Sequence, residues 1–507
     1  MTIIIFMPQR AEGRKYFMKR SLKTVCRRVT ALLCSAALGV MGCGTAETRK
    51  DGTESTPQSV TEDSTGIQTT EQEETEAPLS EGEKLALLYN GWVETPMDLG
   101  GRTIKIVSTS SRFIEEDRNT VSNQKLEVLE AIDAIEKEYN CTIVVEKLKA
   151  KSLTSALLTA KSAGEAYCDI LDIDVSSAYL EQIYANNLCM DLNAEPIADI
   201  IKCDENPWRD VSTMGQMFNK QLGVSYVANN SSDIIRACIL FNKDLAEKYG
   251  YTDFYKMVKD GTWTYENFEN ICAGIAAQSD GTVAPIIISN KESLFIPPLI
   301  FANGGSTAEI INGKYTFTAL NDKTMEALNY AVGLVSKGYV TQTTDNMFEV
   351  GKGVFFFTIY NELCKYTQGT VNVEFSVGLL PAPQGPSGNG TYNGTTYTEP
   401  LWSVVNGTEK PEEVAAVLVA LANRTSRHDV YNYELMYGMQ DEESADMLML
   451  MYENMIPDYS RVISEARTAF VEANRSILRL EKTPKEAYEE MASEVQAIYD
   501  SIVLTEE

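Results

Sequence analysis

Between residues 102 and 185 the apolar period switches repeatedly from two to between three and four and back, and this alternation constrains the fold more than any single motif. Arg102-Thr103-Ile104-Lys105-Ile106-Val107-Ser108 is a short β-rich run, and Val121, Leu126, Leu129, Ile132, Ile135 and Tyr139 then recur at helical spacing. Cys141 to Val145 reads as a second strand, and Leu153, Leu157 and Leu158 as a second helix. Tyr167 to Asp174 reads as a third strand, and Tyr179, Leu180 and Ile183 as a third helix. Strand, helix, strand, helix, strand predicts a parallel sheet wrapped by helices. Ligands of such sheets bind beyond the carboxyl ends of the strands, here Ser108 to Arg112 and Asp172 to Ser176.

A second α/β run follows. Residues 222 to 228 form a strand candidate, and Cys238 to Asp244 opens the new series. Helical patterns cover Glu266 to Ala277 and Met325 to Val335, and Val354 to Tyr360 reads as a fully buried strand. Phe375 to Leu380 and Leu401 to Val405 are further strands, separated by a Gly/Pro/Asn-rich loop from Pro381 to Gly394. Helix Pro411 to Asn423 and a helical tail from Ser464 to Leu504 complete the body. A chain of 507 residues, 44% of them hydrophobic, is large enough for two or more packed lobes.

Charge and histidine content remove several function classes. A net charge of −28 leaves no broad electropositive surface for phosphate backbones. His428 is the single histidine, so His-rich zinc sites and the HExxH motif are absent, and its flanks read as surface. Seven cysteines lie in the body (Cys141, Cys168, Cys189, Cys203, Cys238, Cys272 and Cys364) without CxxC spacing, so most read as small buried hydrophobes, with one or two bridges left open for an exported chain.

The N-terminus reads as an address. Lys19, Arg20, Lys23, Arg27 and Arg28 precede the apolar run Val29 to Met41, which ends in Gly42-Cys43. Thirteen helical residues span about 20 Å, too short for a hydrocarbon core of roughly 30 Å, so the run is a signal-peptide core. Residues 1–42 are the expected signal peptide, with Met18 as the alternative first residue. The segment resembles a bacterial lipoprotein signal whose lipobox is Val40-Met41-Gly42-Cys43. Val40 and Met41 depart from the commonest residues at their positions, and Cys43 is the expected lipidated residue. Acylation there anchors the chain to a membrane from outside. Residues 43–84, rich in Thr, Ser, Glu, Gly and Gln, form the expected flexible linker.

Six motifs in the body resemble an extracellular solute-binding protein of the sugar-type, maltodextrin-binding-like class that serves ABC importers. They are Asp191-Leu192-Asn193-Ala194, Asn206-Pro207-Trp208-Arg209-Asp210, Phe241-Asn242-Lys243-Asp244-Leu245, Gly261-Thr262-Trp263-Thr264-Tyr265-Glu266-Asn267-Phe268, Ala302-Asn303-Gly304-Gly305 and Gly378-Leu379-Leu380-Pro381-Ala382-Pro383. The resemblance covers roughly residues 100 to 498. Segment 385–398 and the body cysteines are less typical of the class. The resemblance implies an α/β, two-lobe, periplasmic-binding-protein-like fold with a hinged cleft, entered near Val227 and left near Leu379. Lobe one is expected over 85–228 plus 377–407 and lobe two over 229–376 plus 408–507. It further implies a monomer that captures a small solute, a sugar or oligosaccharide, and hands it to membrane permease subunits without catalysis, cofactor or metal.

Carried over by position, the expected ligand contacts are Ser110 and Arg112 on the first loop, Asp174 and Ser176 after the third strand, and Asn229 and Asn230 on the crossing segment. The second lobe contributes Phe295, Tyr360 and Asn361, with Trp402 beside the return crossing. Aromatic rings cover the apolar faces of a pyranose while amides, hydroxyls and charged groups meet its hydroxyls. Tyr360 and Trp402 read equally well as core aromatics, Asp174 as a solvated or capping carboxylate, and Trp208 and Trp263 as structural. Two other classes remain in view: an exported glycoside hydrolase, which needs two carboxylates about 5 to 9.5 Å apart, and a surface module that retains polysaccharide. Asp169, Asp172 and Asp174 form a weak candidate set for a hard cation, because 172 and 174 share a strand face and 169 does not.

Overall fold

Two five-stranded sheets organise the chain, and each is built around its own parallel core. The computed structural model describes residues 92–111, 113–174, 180–206, 212–217, 219–225, 237–289, 292–343, 346–367, 369–395, 400–425 and 439–502. All of them fall within one compact unit, Ala77–Glu507.

In the first sheet β1 (Arg102–Ser108) pairs in parallel with both β2 (Cys141–Lys147) and β3 (Ile170–Asp174). Helix α1 (Asn123–Tyr139) connects β1 to β2, and helix α2 (Ala150–Ser162) connects β2 to β3, as the period switches require. Ser122 caps α1 by accepting from the Lys125 N–H, and Asn140 ends it in the left-handed region at φ 48. Val128, Leu129, Ile132, Ile135 and Tyr139 form its buried stripe. The short β4 (Val224–Ser225) completes this sheet on the far side of a strand that arrives much later in the chain.

The second sheet holds β5 (Cys238–Asn242), β6 (Ala284–Ile288), β7 (Val340–Gln342), β8 (Gly353–Thr358) and β9 (Val377–Leu380), in the spatial order β7-β6-β8-β5-β9. β6, β7 and β8 are parallel, while β5 runs antiparallel to both β8 and β9. The expected strand at Val354 to Tyr360 ends at Thr358, and Tyr360 instead starts a helix, Tyr360–Thr367. Helix α3 (Tyr265–Ser279) precedes β6 and α4 (Asp322–Ser336) precedes β7, capped by Thr264 and Asn321 respectively. Trp263 is sealed beneath α3 and donates from its indole N–H to the Pro381 carbonyl at 2.9 Å.

The chain returns to the first sheet as β10 (Pro400–Val404), antiparallel to both β3 and β4. Helix α5 (Pro411–Arg424) then packs on β10 and α1, with every residue from Val414 to Ala422 buried. Two parts of the expected division therefore change sides. Residues 377–380 pair within the second sheet, and 411–424 cover the first sheet although the expectation grouped everything from 408 with the second. The remaining helices α6 (Glu442–Glu453), α7 (Ser464–Leu478) and α8 (Pro484–Asp500) pack with the second sheet's elements. α6 reaches β9 through Ser444, whose hydroxyl accepts from the Leu379 N–H at 3.1 Å. α7 and α8 pack on each other, and α8 also holds the hairpin Ala308–Ile311/Lys314–Phe317, where the Phe317 N–H donates to Gln496 Oε1 at 2.9 Å.

Candidate functional site

The carboxyl edge of the first sheet is polar where its flanks are apolar. Ser108 ends β1 and Asp172 lies opposite it in β3, and both are 0% exposed. The Ser108 hydroxyl donates to Asp172 Oδ2 at 2.6 Å, and the Ser110 hydroxyl reaches the same oxygen at 3.4 Å. The loop is tied again by the Thr109 N–H, which donates to the Asp172 carbonyl at 3.0 Å, and by the Ser110 N–H, which donates to Ser108 Oγ at 3.1 Å. A buried carboxylate is tolerated only when such donors surround it. Asp172 therefore fixes the position of the whole 108–111 turn.

Two cations converge on the end of that turn. Lys125, from the first turn of α1, donates to the Ser111 carbonyl at 2.8 Å, and Lys147, from the end of β2, donates to Ser111 Oγ at 2.5 Å. Burial pulls the Lys125 pKa down, and Glu116, 3.6 Å away, opposes that shift. Beneath the turn lies Trp402, in register with Asp172 on β10 and packed on Phe113 with ring centroids 4.8 Å apart.

On the second sheet, Phe295 packs edge-on to Phe357 of β8 with centroids 4.8 Å apart, and Tyr360 and Asn361 begin the helix that leaves β8. Phe295, Tyr360 and Trp402 are each 0% exposed, so in this arrangement none presents a ring face to solvent. Ser110 and Asn361 are half-buried at the two edges. Cys43, Arg112, Ser176, Asn229, Asn230 and the side chain of Asp174 lie outside the described residues. Trp208 and His428 do as well.

Asp169 is separated from Asp172 by function as well as by face. It sits just before β3, pairs with Arg102 at 2.9 Å and accepts from the Lys105 N–H at 2.8 Å. Glu413 of α5 meets the same guanidinium at 3.1 Å, which ties α5 to the start of the first sheet. Among the described residues no group of three or more His, Cys, Asp or Glu is arranged to hold a metal ion. The body cysteines are buried, except for half-buried Cys203, and burial pushes the Cys141 thiol up to about 11.

A contact that sequence patterning did not reveal joins elements of the two sheets. The hairpin Gln216–Met217/Lys220–Gln221 belongs with the first sheet, because the Gln221 carbonyl accepts from the Leu192 N–H and the Val404 carbonyl from the Met190 N–H. Tyr315, from the hairpin held by α8, donates its phenol to the Gln216 carbonyl at 2.7 Å and is 1% exposed. Glu181, on the short helix Leu180–Ala185, lies near Tyr315 and near Glu465 and Arg467 of α7. Only its place just after β3 could have pointed to it.

Two sheets joined by crossing segments, with polar residues at the carboxyl ends of parallel strands, define the two-lobe architecture of periplasmic binding proteins. Solved structures of similar fold include the cyclic α-maltosyl-1,6-maltose binding protein from Arthrobacter globiformis, at 15% identity and TM-score 0.59, covering 79% of this chain and 99% of that chain. A cyclo/maltodextrin-binding protein complexed with maltotetraose shows 12% identity and TM-score 0.56, covering 79% and 98%. UgpB from Mycobacterium tuberculosis in complex with glycerophosphocholine shows 15% identity and TM-score 0.54, covering 79% and 99%. No curated protein matches the chain. The family model described as bacterial extracellular solute-binding protein matches residues 130–426, and the chain belongs to that family. It is an extracytoplasmic solute binder. No helix among the described residues is long and apolar enough to cross a membrane.

Proposed function

We propose that this protein captures a sugar or oligosaccharide in the cleft between its lobes and delivers it, chemically unchanged, to the permease subunits of an ABC importer. The carrying observation is the Ser108–Asp172–Ser110 constellation at the carboxyl edge of the first sheet, a rigid hydroxyl-rich turn seated on Trp402 and Phe113. Hydroxyls and amides in a partly desolvated cleft suit an uncharged, polyhydroxylated ligand. Family membership and the sugar-binding neighbours support the same reading. Ser110 and Asn361 are the proposed direct contacts from the two lobes, joined by Arg112, Asp174, Ser176, Asn229 and Asn230. Trp402, Tyr360 and Phe295 are proposed as the apolar floor behind them.

In this reading lobe one is the part built on the first sheet, including α5, and lobe two the part built on the second sheet, including α6 to α8. Cys43 carries the lipid, and residues 43–84 give the body a tether a few nanometres long, on the order of 5 to 6 Å times the square root of the residue number. The test is a thermal-shift screen of the protein against a panel of oligosaccharides, with glycerophosphocholine as the non-sugar arm. A ligand that binds only the native state raises stability by RT ln(1 + [L]/Kd). The expected result is stabilisation by a saccharide recovered intact. Cleavage products would favour a hydrolase, and a response only to the phosphodiester would move the solute class.

A further inference from the structure

We propose that Glu181 is a proton-operated latch, a half-buried carboxyl at the contact of the two lobes whose protonation favours the joined arrangement and whose ionisation favours separation. The geometry comes first. Glu181 Oε2 is buried and has no hydrogen-bond partner, although the side chain lies in the opening turn of a helix on the first lobe. The charges that act on it come from the other lobe, Glu465 and Arg467 in the first turns of α7, and it acts in turn on Tyr315 of the hairpin held by α8. Tyr459 and Tyr499 flank Tyr315 with ring centroids 5.9 and 5.7 Å away, and the Tyr499 hydroxyl is likewise buried with no partner. Of the other charges beside the short helix, Lys220 lies over the ring of Tyr184, 5.8 Å from its centroid, Asp191 acts on the Tyr184 phenol, and Lys161 donates to the Asn186 carbonyl just past the helix at 3.0 Å. A few residues away the Tyr315 phenol closes the same contact by donating to the Gln216 carbonyl of the first lobe at 2.7 Å.

A carboxyl with one oxygen sealed from water and unpaired is costly when ionised and tolerable when neutral. Burial raises the Glu181 pKa above its ordinary 4.5. Its own backbone N–H opposes the shift, the charge of Glu465 reinforces it, and that of Arg467 opposes it. Separation of the lobes returns water to the carboxyl and with it the ordinary value. The joined state thus holds its proton more tightly than the separated state. Its advantage is complete below about pH 4.5 and is lost as pH rises through the raised value. Within that window the ratio of joined to separated molecules falls by up to about tenfold per pH unit. A proton gradient or an acidic exterior would then bias the protein toward the arrangement that retains solute.

The test needs no ligand, so its outcome is independent of the solute class proposed above. Small-angle scattering of the full chain is recorded from pH 4.5 to 8 for the wild type, Glu181→Gln and Arg467→Gln, with far-UV circular dichroism confirming the fold of each. The expected wild-type particle expands as pH rises, while Glu181→Gln, which carries every other titratable group, stays compact throughout. Arg467→Gln removes the opposing cation and shifts the wild-type midpoint to higher pH. A wild-type particle of constant dimensions, a Glu181→Gln curve that follows the wild type, or a midpoint that moves down in Arg467→Gln would each overturn the proposal.

Discussion

The Ser108–Asp172 contact can be tested as a pair. Its oxygens are 2.6 Å apart and both residues are fully enclosed, so water replaces neither partner when the other is cut away. A hydrogen bond to a charged group contributes about 1.5–3 kcal/mol, and an orphaned buried acceptor costs about 1–3 kcal/mol. Asp172→Ala removes the acceptor for two hydroxyls and is the most damaging single change, whereas Asp172→Asn keeps an acceptor oxygen and costs less. Ser108→Ala also loses the acceptor for the Ser110 N–H, which lies 3.1 Å away. Single-variant losses therefore contain more than the pair. The double-mutant cycle of Ser108→Ala and Asp172→Ala isolates it, with a coupling of about 1.5–3 kcal/mol expected. Urea unfolding followed by far-UV circular dichroism and tryptophan fluorescence gives the four stabilities, provided the lobes' transitions are fitted separately. Additivity within about 0.5 kcal/mol would refute the claim that this bond anchors the 108–111 turn.

Trp402→Ala and Tyr360→Ala each empty a fully enclosed position and are expected to cost about 3–5 kcal/mol, read as a lowered urea midpoint. Variants that melt normally and keep their full ligand shift would remove both residues from the proposed cleft floor. Lys410 and Arg102 hold the Glu413 carboxyl below its ordinary 4.5, so its contribution is present above that value and lost as pH falls through the lowered one. Glu413→Gln is accordingly expected to flatten the acid limb of the stability profile below about pH 4.5 and to leave the profile near pH 7 little changed in slope. Thr483 and Glu486 form a reciprocal capping box at the start of α8, and Thr483→Ala is expected to cost about 0.5–2 kcal/mol in chemical denaturation.

Much of the secondary structure was legible because burial imposes a period. α1 shows its stripe in Val128, Ile132, Ile135 and Tyr139, and β8 shows itself as the unbroken apolar run Val354 to Phe357 of a largely buried strand. Boundaries failed where one residue could serve two states. Tyr360 extends the apolar run of β8, yet it starts a helix and contributes its ring to the core. The hairpin at 308–317 turns on Asn312-Gly313, with φ of 52 and 74, the pair such hairpins favour. The tail from Ser464 to Leu504 read as one helical stretch and is two, α7 and α8, with Leu480 at φ 58 in the turn between them.

Local sequence alone determined that this chain alternates strands and helices, that its carboxyl-edge turns are polar, and that it carries the motifs of a solute-binding family. Each of those properties is a matter of period or of neighbouring residue types, which a short window contains. Only the tertiary structure decided which sheet owns a segment and which aromatic is sealed. Helix α5 is apolar on nearly every side, so its sequence calls for burial without naming a partner, and contact with β10 and α1 supplies the answer. Trp402 has the residue type of a sugar platform, but pairing opposite Asp172 and packing against the tilted ring of Phe113 enclose it. Glu181 has no local signature beyond its place just after β3, since the charges acting on it come from α7 and it acts on the 308–317 hairpin, more than a hundred residues away along the chain. Desolvation is set by what packs against a group in space, and no window of sequence contains that information.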